Sequence, residues 1–146
     1  MIDIKRMIMH VDTLCIDEIS MLSLKLFLQI EKVLRRVRES NFPFGGIQII
    51  VPLDFFQLKP VPKDVYHDRG ELIISYEKIR SLIPHHYALS QVHRQTEGDL
   101  IKAVHGLSEG VHLSKDTESL LRKLEHPLPP GDQSIKLFVL NYDVEK

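Results

Sequence analysis

Two adjacent carboxylates, Asp17 and Glu18, close the short apolar run Leu14-Cys15-Ile16. Such a run reads as a buried strand of a parallel sheet, and ligands of open α/β sheets bind beyond the carboxyl ends of the strands. Neighbouring side chains of an extended segment point opposite ways, so one acid can approach a magnesium ion while the other faces a phosphate and its attacking water. Nucleotide hydrolysis needs that division of labour. The same pair also fits a solvated turn. Joined by Asp54, it fits the centre of a magnesium-dependent nuclease, which would cut DNA without nucleotide. Phe55 and Phe56 can stack on the bases of a single strand or pack into a core. His85, His86 and His93 match no zinc-ligand spacing, and no cysteine cluster joins them.

The elements that would position these groups can be read from periodicity. Thr13 to Asp17 is the first expected strand, and Ser23 could cap the helix that follows. Apolar residues at Leu26, Phe27, Ile30, Val33, Leu34 and Val37 give helical spacing over 24–38. Lys32, Arg35, Arg36 and Arg38 crowd the end of that helix, where cations suit its dipole. Asn41-Phe42-Pro43-Phe44-Gly45-Gly46 breaks the helix, and Ile47 to Val51 is a second β-branched run. Strand, helix, strand is the mark of a βαβ unit with parallel strands. Pro60 and Pro62 end regular structure. Beyond them the sequence predicts a weak helix at 74–82, a short strand at 86–89, helices at 99–107 and 116–124, a stop at 127–131 and a strand at 135–140. There is no internal repeat and no low-complexity segment.

Length and composition bound the reading. A chain of 146 residues holds one α/β core or parts of two neighbouring ones. With 43% hydrophobic and 27% charged residues, disorder is not the default. No apolar run approaches the ~20 residues of a spanning helix. Met1 to Arg6 does not read as a secretory signal, so an intracellular protein is expected. The single cysteine, Cys15, allows no internal disulfide and reads as a small buried hydrophobe. A formal net charge of -1 excludes a protein that grips phosphates across a whole basic face, so any nucleic-acid contact must be local.

Longer motifs narrow the chemistry. Asp17-Glu18-Ile19-Ser20-Met21 resembles the Walker B motif of Pif-type DNA helicases of superfamily one. Asp54-Phe55-Phe56-Gln57-Leu58-Lys59-Pro60-Val61 resembles that family's third motif, and Leu89-Ser90-Gln91-Val92-His93-Arg94-Gln95 its fourth. Phe42 to Gln48 matches the usual lead into the second strand. Leu113 to Thr117, Pro127 to Pro130 and Asn141-Tyr142-Asp143-Val144 extend the resemblance over nearly the whole chain.

The resemblance implies an α/β fold: a partial RecA-like P-loop NTPase core with parallel strands over residues 1–95, then linking helices and the start of a second motor domain over 96–146. It implies ATP as substrate, Mg2+ as cofactor, and single-stranded and duplex DNA as partners, with no membrane. Position by position, Asp17 would hold magnesium, Glu18 would polarise the attacking water, Gln57 would sense the γ-phosphate, and Arg94 would reach that phosphate from the domain boundary. Phe55 and Phe56 would lie where the third motif couples the ATP site to DNA, and Asp54 would orient the loop; Lys59, which departs from the family pattern, could add a phosphate contact to DNA. The implied activity is ATP hydrolysis coupled to unwinding with 5′-to-3′ polarity, in repair, recombination and telomere maintenance. The implied location is the nucleus, with the mitochondrion as the alternative; oligomeric state is left open.

Three departures stand out. These residues contain no Gly-x-x-x-x-Gly-Lys-Ser/Thr phosphate loop. The fifth and sixth motifs are missing as well, so the chain reads as an internal piece expected to hydrolyse ATP poorly by itself. In the third motif, Leu53 stands where the family has Gly and Lys59 where it has Pro. A non-catalytic helicase remnant that binds DNA or protein therefore stays open beside the helicase and nuclease readings.

Overall fold

The computed structural model describes residues 4–54, 56–127 and 129–131. The chain forms two compact units, Met1–Gln91 and Val92–Lys146. The boundary falls within the stretch that resembles the fourth motif.

The first unit begins with helix α1 (Ile4–His10) and strand β1 (Thr13–Cys15), followed by a 3-10 turn over Ile19–Met21. Helix α2 (Leu24–Val37) leads through a tight turn at Pro43–Gly46 to strand β2 (Gln48–Ile50). β1 and β2 pair in parallel, with Thr13 opposite Gln48, Leu14 opposite Ile49 and Cys15 opposite Ile50. The expected βαβ order is thus present, in strands of three residues each.

Ser23 caps α2 as its residue type suggests. Its backbone is extended, and its hydroxyl accepts a hydrogen bond from the Leu26 amide at 3.2 Å. The helix buries Leu24, Phe27 and Leu34, which join Ile19, Phe44, Ile47 and Ile73 in the interior. Phe27 meets Phe44 edge to face, with ring centroids 5.4 Å apart. That contact requires the Pro43–Gly46 turn to press against α2. Gly45 makes it possible: its φ is +67°, and a Cβ there would lie 2.8 Å from the Leu34 carbonyl oxygen.

Arg38 has a more specific part than the general helix-dipole reading of its cluster. Its guanidinium donates to the Gly45 carbonyl at 3.3 Å, to Met9 at 3.2 Å and to Val11 at 3.1 Å. One planar side chain therefore ties α1, the lead into β1 and the turn to the end of α2.

Several expectations are corrected. Cys15 is exposed rather than buried, because β1 alternates and only Leu14 turns toward the core. The helix expected at 74–82 is broken into a 3-10 turn at Ile73–Ser75 and a single helical turn, α3 (Ile79–Leu82), with Ile73 drawn into the core that Phe27, Phe44 and Ile47 share. No strand forms at 86–89: Tyr87 and Leu89 are 87% and 97% exposed, and among the described residues no backbone pairs with them.

The second unit contains α4 (Gly98–Glu109) and α5 (Lys115–Leu124), close to the helices expected there. Gly110 ends α4 in the left-handed conformation, and the Ser114 hydroxyl caps α5 by accepting from the Thr117 amide at 3.2 Å. The expected strand at 135–140 and the Asn141–Val144 element lie outside the described residues. Among the described residues no helix is long and apolar enough to cross a membrane.

Candidate functional site

Beyond Cys15 the chain leaves the strand and turns sharply. The Ile16 amide still donates to the Ile50 carbonyl at 2.9 Å, and the Ile19 amide donates to the Pro52 carbonyl at 3.3 Å, so the turn is fastened on one side to the end of β2 and on the other to the segment following it. Between these bonds lie Asp17 and Glu18. Asp17 Oδ1 accepts the Glu18 amide at 2.9 Å, and the Glu18 carbonyl accepts the Met21 amide at 2.9 Å. The acids therefore do not extend the strand, and the expected opposite pointing of an extended pair does not apply. They sit in a turn in which Glu18 takes φ 51° and ψ 43°.

That left-handed conformation is unusual for a glutamate and costs about 1–3 kcal/mol, so it persists only where the surroundings impose it. Here they do. Ile19 and Ser20, the next two residues, are buried, and Ile19 is a member of the core. Burial of Ile19 and the two flanking hydrogen bonds hold the turn, and Glu18 is left exposed at its apex.

The second contributor is the loop after β2. Asp54 organises it locally: its carboxylate accepts from the Phe56 amide at 2.9 Å and from the Gln57 side-chain amide at 3.3 Å, while its carbonyl accepts the Gln57 amide at 3.2 Å. Leu53, where the resemblance expects glycine, does not use a positive φ, so this backbone makes no demand that only glycine meets. Phe56 is 67% exposed, which removes the core reading for that ring. Lys59 is exposed too, while Pro60 is buried and anchors the end of the loop. Phe55 lies outside the described residues.

The turn and the loop face one cleft. Glu18, Met21, Phe56, Gln57 and Leu58 line an open depression of about 420 Å³. Glu18 and Gln57, 39 positions apart in sequence, thus share a wall-to-wall site. A larger depression of about 570 Å³ runs along the outer face of α2 past Leu28, Lys32 and Arg36, and it contains none of the motif residues. Its charges are partly spent on each other, as in the Arg35–Glu31 pair at 3.7 Å, so chemistry rather than size directs attention to the smaller cleft. Arg94 belongs to the second unit, where it is exposed in a bend ahead of α4.

Among the described residues no three His, Cys, Asp or Glu side chains gather as a metal-binding group. One carboxylate beside a phosphate chain is nevertheless a sufficient protein contribution for magnesium, which keeps several waters and takes phosphate oxygens as ligands. Asp17 fits that description, since one of its oxygens is engaged by the Glu18 amide and its side chain is solvent-facing.

Sequence reasoning missed a third participant, the segment 63–71. Asp68 accepts the Ser23 hydroxyl at 2.5 Å and the Gly70 amide at 3.0 Å. The hydroxyl, then the amide, hold its carboxyl below the usual value of 3.8, with Lys25 and Lys63 adding to the effect. Lys25 donates to the carbonyls of Tyr66 and His67. The Asp68–Gly70 bond is a local turn, but the bonds to Ser23 and Lys25 have no local signature, because they join residues more than 40 positions apart. The Ser20 hydroxyl, directly behind the acidic turn, is buried and has no hydrogen-bond partner among the described residues.

Parallel strands joined by a helix, with an acidic turn at the strand end and an amide-bearing loop across a shared cleft, place the molecule in the RecA-like class of α/β motor domains. Residues 2–103 match the family described as PIF1-like helicase, and the chain belongs to that family. It is 33% identical over 123 residues to the ATP-dependent DNA helicase RRM3 of Saccharomyces cerevisiae, covering 84% of this chain and 17% of that protein. Over 112 residues it is 37% identical to human ATP-dependent DNA helicase PIF1, covering 77% of this chain and 16% of that protein.

Solved structures agree. A Pif1 helicase from Bacteroides in complex with ADP-AlF3 and ssDNA superposes with a TM-score of 0.83 at 28% identity, over 97% of this chain and 35% of that one. Pif1 helicase from Candida albicans superposes with a TM-score of 0.80 at 28% identity, over 97% of this chain and 32% of that one. The chain spans about a sixth of the length of the curated relatives it matches.

Proposed function

We propose that this chain contributes the hydrolytic turn and phosphate-sensing loop of an ATP-driven DNA helicase. The observation that carries the reading is Glu18, held in a left-handed conformation by the structure around it and facing the same cleft as Gln57. Left-handed backbone at an acid does not suffice by itself, since Glu39 takes φ 50° beside the larger depression; what distinguishes Glu18 is that its cleft also holds the motif residue Gln57.

In this reading the Glu18 carboxylate orients the attacking water and accepts its proton. The Gln57 amide can donate to a γ-phosphate oxygen while its carbonyl accepts from that water, so its contacts change when the phosphate leaves. Asp17 would hold magnesium, which when bound offsets the negative charge of the phosphates. Arg94 would add a permanent positive charge from the boundary between motor domains, with residues 1–95 belonging to the first domain and 96–146 leading into the second. Phe56 and Lys59, both exposed beside Gln57, would meet single-stranded DNA by stacking and by phosphate contact, as would Phe55. Support for DNA and nucleotide as ligands comes from the related Bacteroides helicase, described in complex with ADP-AlF3 and ssDNA. Roles in repair, recombination and telomere maintenance, and a nuclear or mitochondrial location, are part of the same proposal.

The nuclease reading fares worse. Both Asp54 carboxylate oxygens are occupied by Phe56 and Gln57, which leaves the acid committed to its own loop. The test is ATP hydrolysis by the purified chain, and by the full-length protein, with and without single-stranded DNA. The expected outcome is weak turnover by these 146 residues and robust DNA-stimulated turnover by a polypeptide that also carries a phosphate loop, abolished by Glu18→Gln. Loss of turnover in neither context would reject the assignment of Glu18. Absence of turnover in both would favour a non-catalytic remnant.

A further inference from the structure

The walls of the cleft are joined a second time, behind it. From Glu18 the chain passes through the 3-10 turn to Ser23, the cap of α2. From Gln57 it runs to the buried Pro60 and then to a compact turn closed by the Lys63–Asp68 backbone pair, at 2.8 and 3.1 Å. Gly70 packs so tightly on the earlier part of this segment that a Cβ would stand 2.8 Å from the Pro60 carbonyl oxygen. The two arms then meet at α2. Asp68 takes the Ser23 hydroxyl, Lys25 takes the carbonyls of Tyr66 and His67, and the Leu24 amide donates to Glu71 at 2.8 Å.

We infer that this Ser23–Asp68–Lys25 clip sets the spacing between Glu18 and Gln57, and that Asp68 is a positioning residue for the cleft. The inference rests on the hydrolysis reading only for its consequence, since the spacing itself is geometry. The clip closes a ring: acidic turn, α2 cap, Asp68, Pro60, Gln57, and back across the cleft. Opening such a ring at one point loosens the loop, because among the described residues the hydrogen bonds of Phe56 and Gln57 go to Asp54 of the same loop, and the loop's far end, at Pro60, leads into the segment that the clip holds. Charge suits the arrangement. The Asp68 carboxylate lies at the amino end of α2, where the helix dipole favours an anion, and it accepts two hydrogen bonds there. Ser23 holds both jobs at once: its oxygen accepts from Leu26 while its proton goes to Asp68.

The test places cysteines at Met21 and Leu58, which line the cleft from the turn and from the loop, in a Cys15→Ser background of the whole chain. Intramolecular coupling by a short bis-maleimide reports their proximity. Asp68→Ala is expected to slow coupling several-fold, Asp68→Asn to restore part of the rate by keeping an acceptor for Gly70, and Asp64→Asn in the same turn to leave it unchanged. Lys25→Met, which spares Asp68, is expected to slow coupling as well, so the inference stays testable if Asp68→Ala does not fold. Combining Ser23→Ala with Asp68→Ala should add little to either alone. Coupling at the background rate in folded Asp68→Ala or Lys25→Met would overturn the clip.

In the full-length protein, Asp68→Ala should lower kcat for ATP with KM unchanged, a split that simple loss of folded protein does not produce. Slower coupling together with unchanged kcat in both Asp68→Ala and Glu18→Gln would leave the clip standing and reject the hydrolysis reading.

Discussion

The two walls of the cleft are built in opposite ways. On one side the acidic turn is set on the core: Ile19 is wholly buried, and the backbone on the two sides of the turn is bonded to the end of β2 and to the segment after it. On the other side Phe56, Gln57 and Leu58 stand on a loop where the bonds of Phe56 and Gln57 are local and the Phe56 and Leu58 side chains face solvent. Strain at Glu18 is affordable only on the first wall, where packing can impose it. Freedom to shift is available only on the second. The proposed roles, holding a water in one place at Glu18 and registering the departure of a phosphate at Gln57, have those contrasting needs.

The contrast can be broken most severely from the core. Phe27→Ala should remove about 3–5 kcal/mol of stability, measured by urea denaturation, because it empties the contact with Phe44 beneath the first wall. Ser23→Ala should cost about 1–2 kcal/mol through loss of the α2 cap, and should in addition loosen the second wall. Acid should act through Asp68. Its carboxyl is held below 3.8 when folded, so its contribution is present above the ordinary carboxylate range and disappears as pH falls through the lowered value. Thermal melts between pH 7 and pH 2 should show that loss, and Asp68→Asn should shrink it. Smallest is Phe56→Ser, expected to change stability by less than about 0.5 kcal/mol, since the ring is largely exposed. A large destabilisation there would mean that the second wall is packed after all.

Much of this contrast was legible in the residues. Helix α2, its Ser23 cap and the paired runs around β1 and β2 carry their signals within a few positions of one another, so periodicity and turn chemistry find them. The acids and Gln57 were recognisable by motif, and the cleft that Glu18 and Gln57 share follows from parallel pairing of the strands that precede them. What stayed hidden depends on distant partners. Glu18 is left-handed because Ile19 is pulled into the core and bonded to Pro52, which no propensity for glutamate predicts. Asp68 looks like an ordinary loop acid until α2 brings Ser23 to it across 45 positions. Residues 86–89 failed as a strand for the converse reason: a strand-like composition without a partner forms nothing. Cys15 lies in an apolar run that reads as buried on both faces, whereas this strand turns only Leu14 inward.

Arg38 has one more consequence. Helix α1 buries no residue completely; Ile8 packs against the core, and the Arg38 guanidinium holds the Met9 carbonyl near the helix end and the Val11 carbonyl just beyond it. A lysine in that place offers a single point instead of a fork and can serve fewer of the three oxygens. The order in which the fold unravels is therefore written at one position: deuterium should enter the amides of α1 well before those of α2, and Arg38→Lys should widen that interval while leaving the interior amides as slow as before.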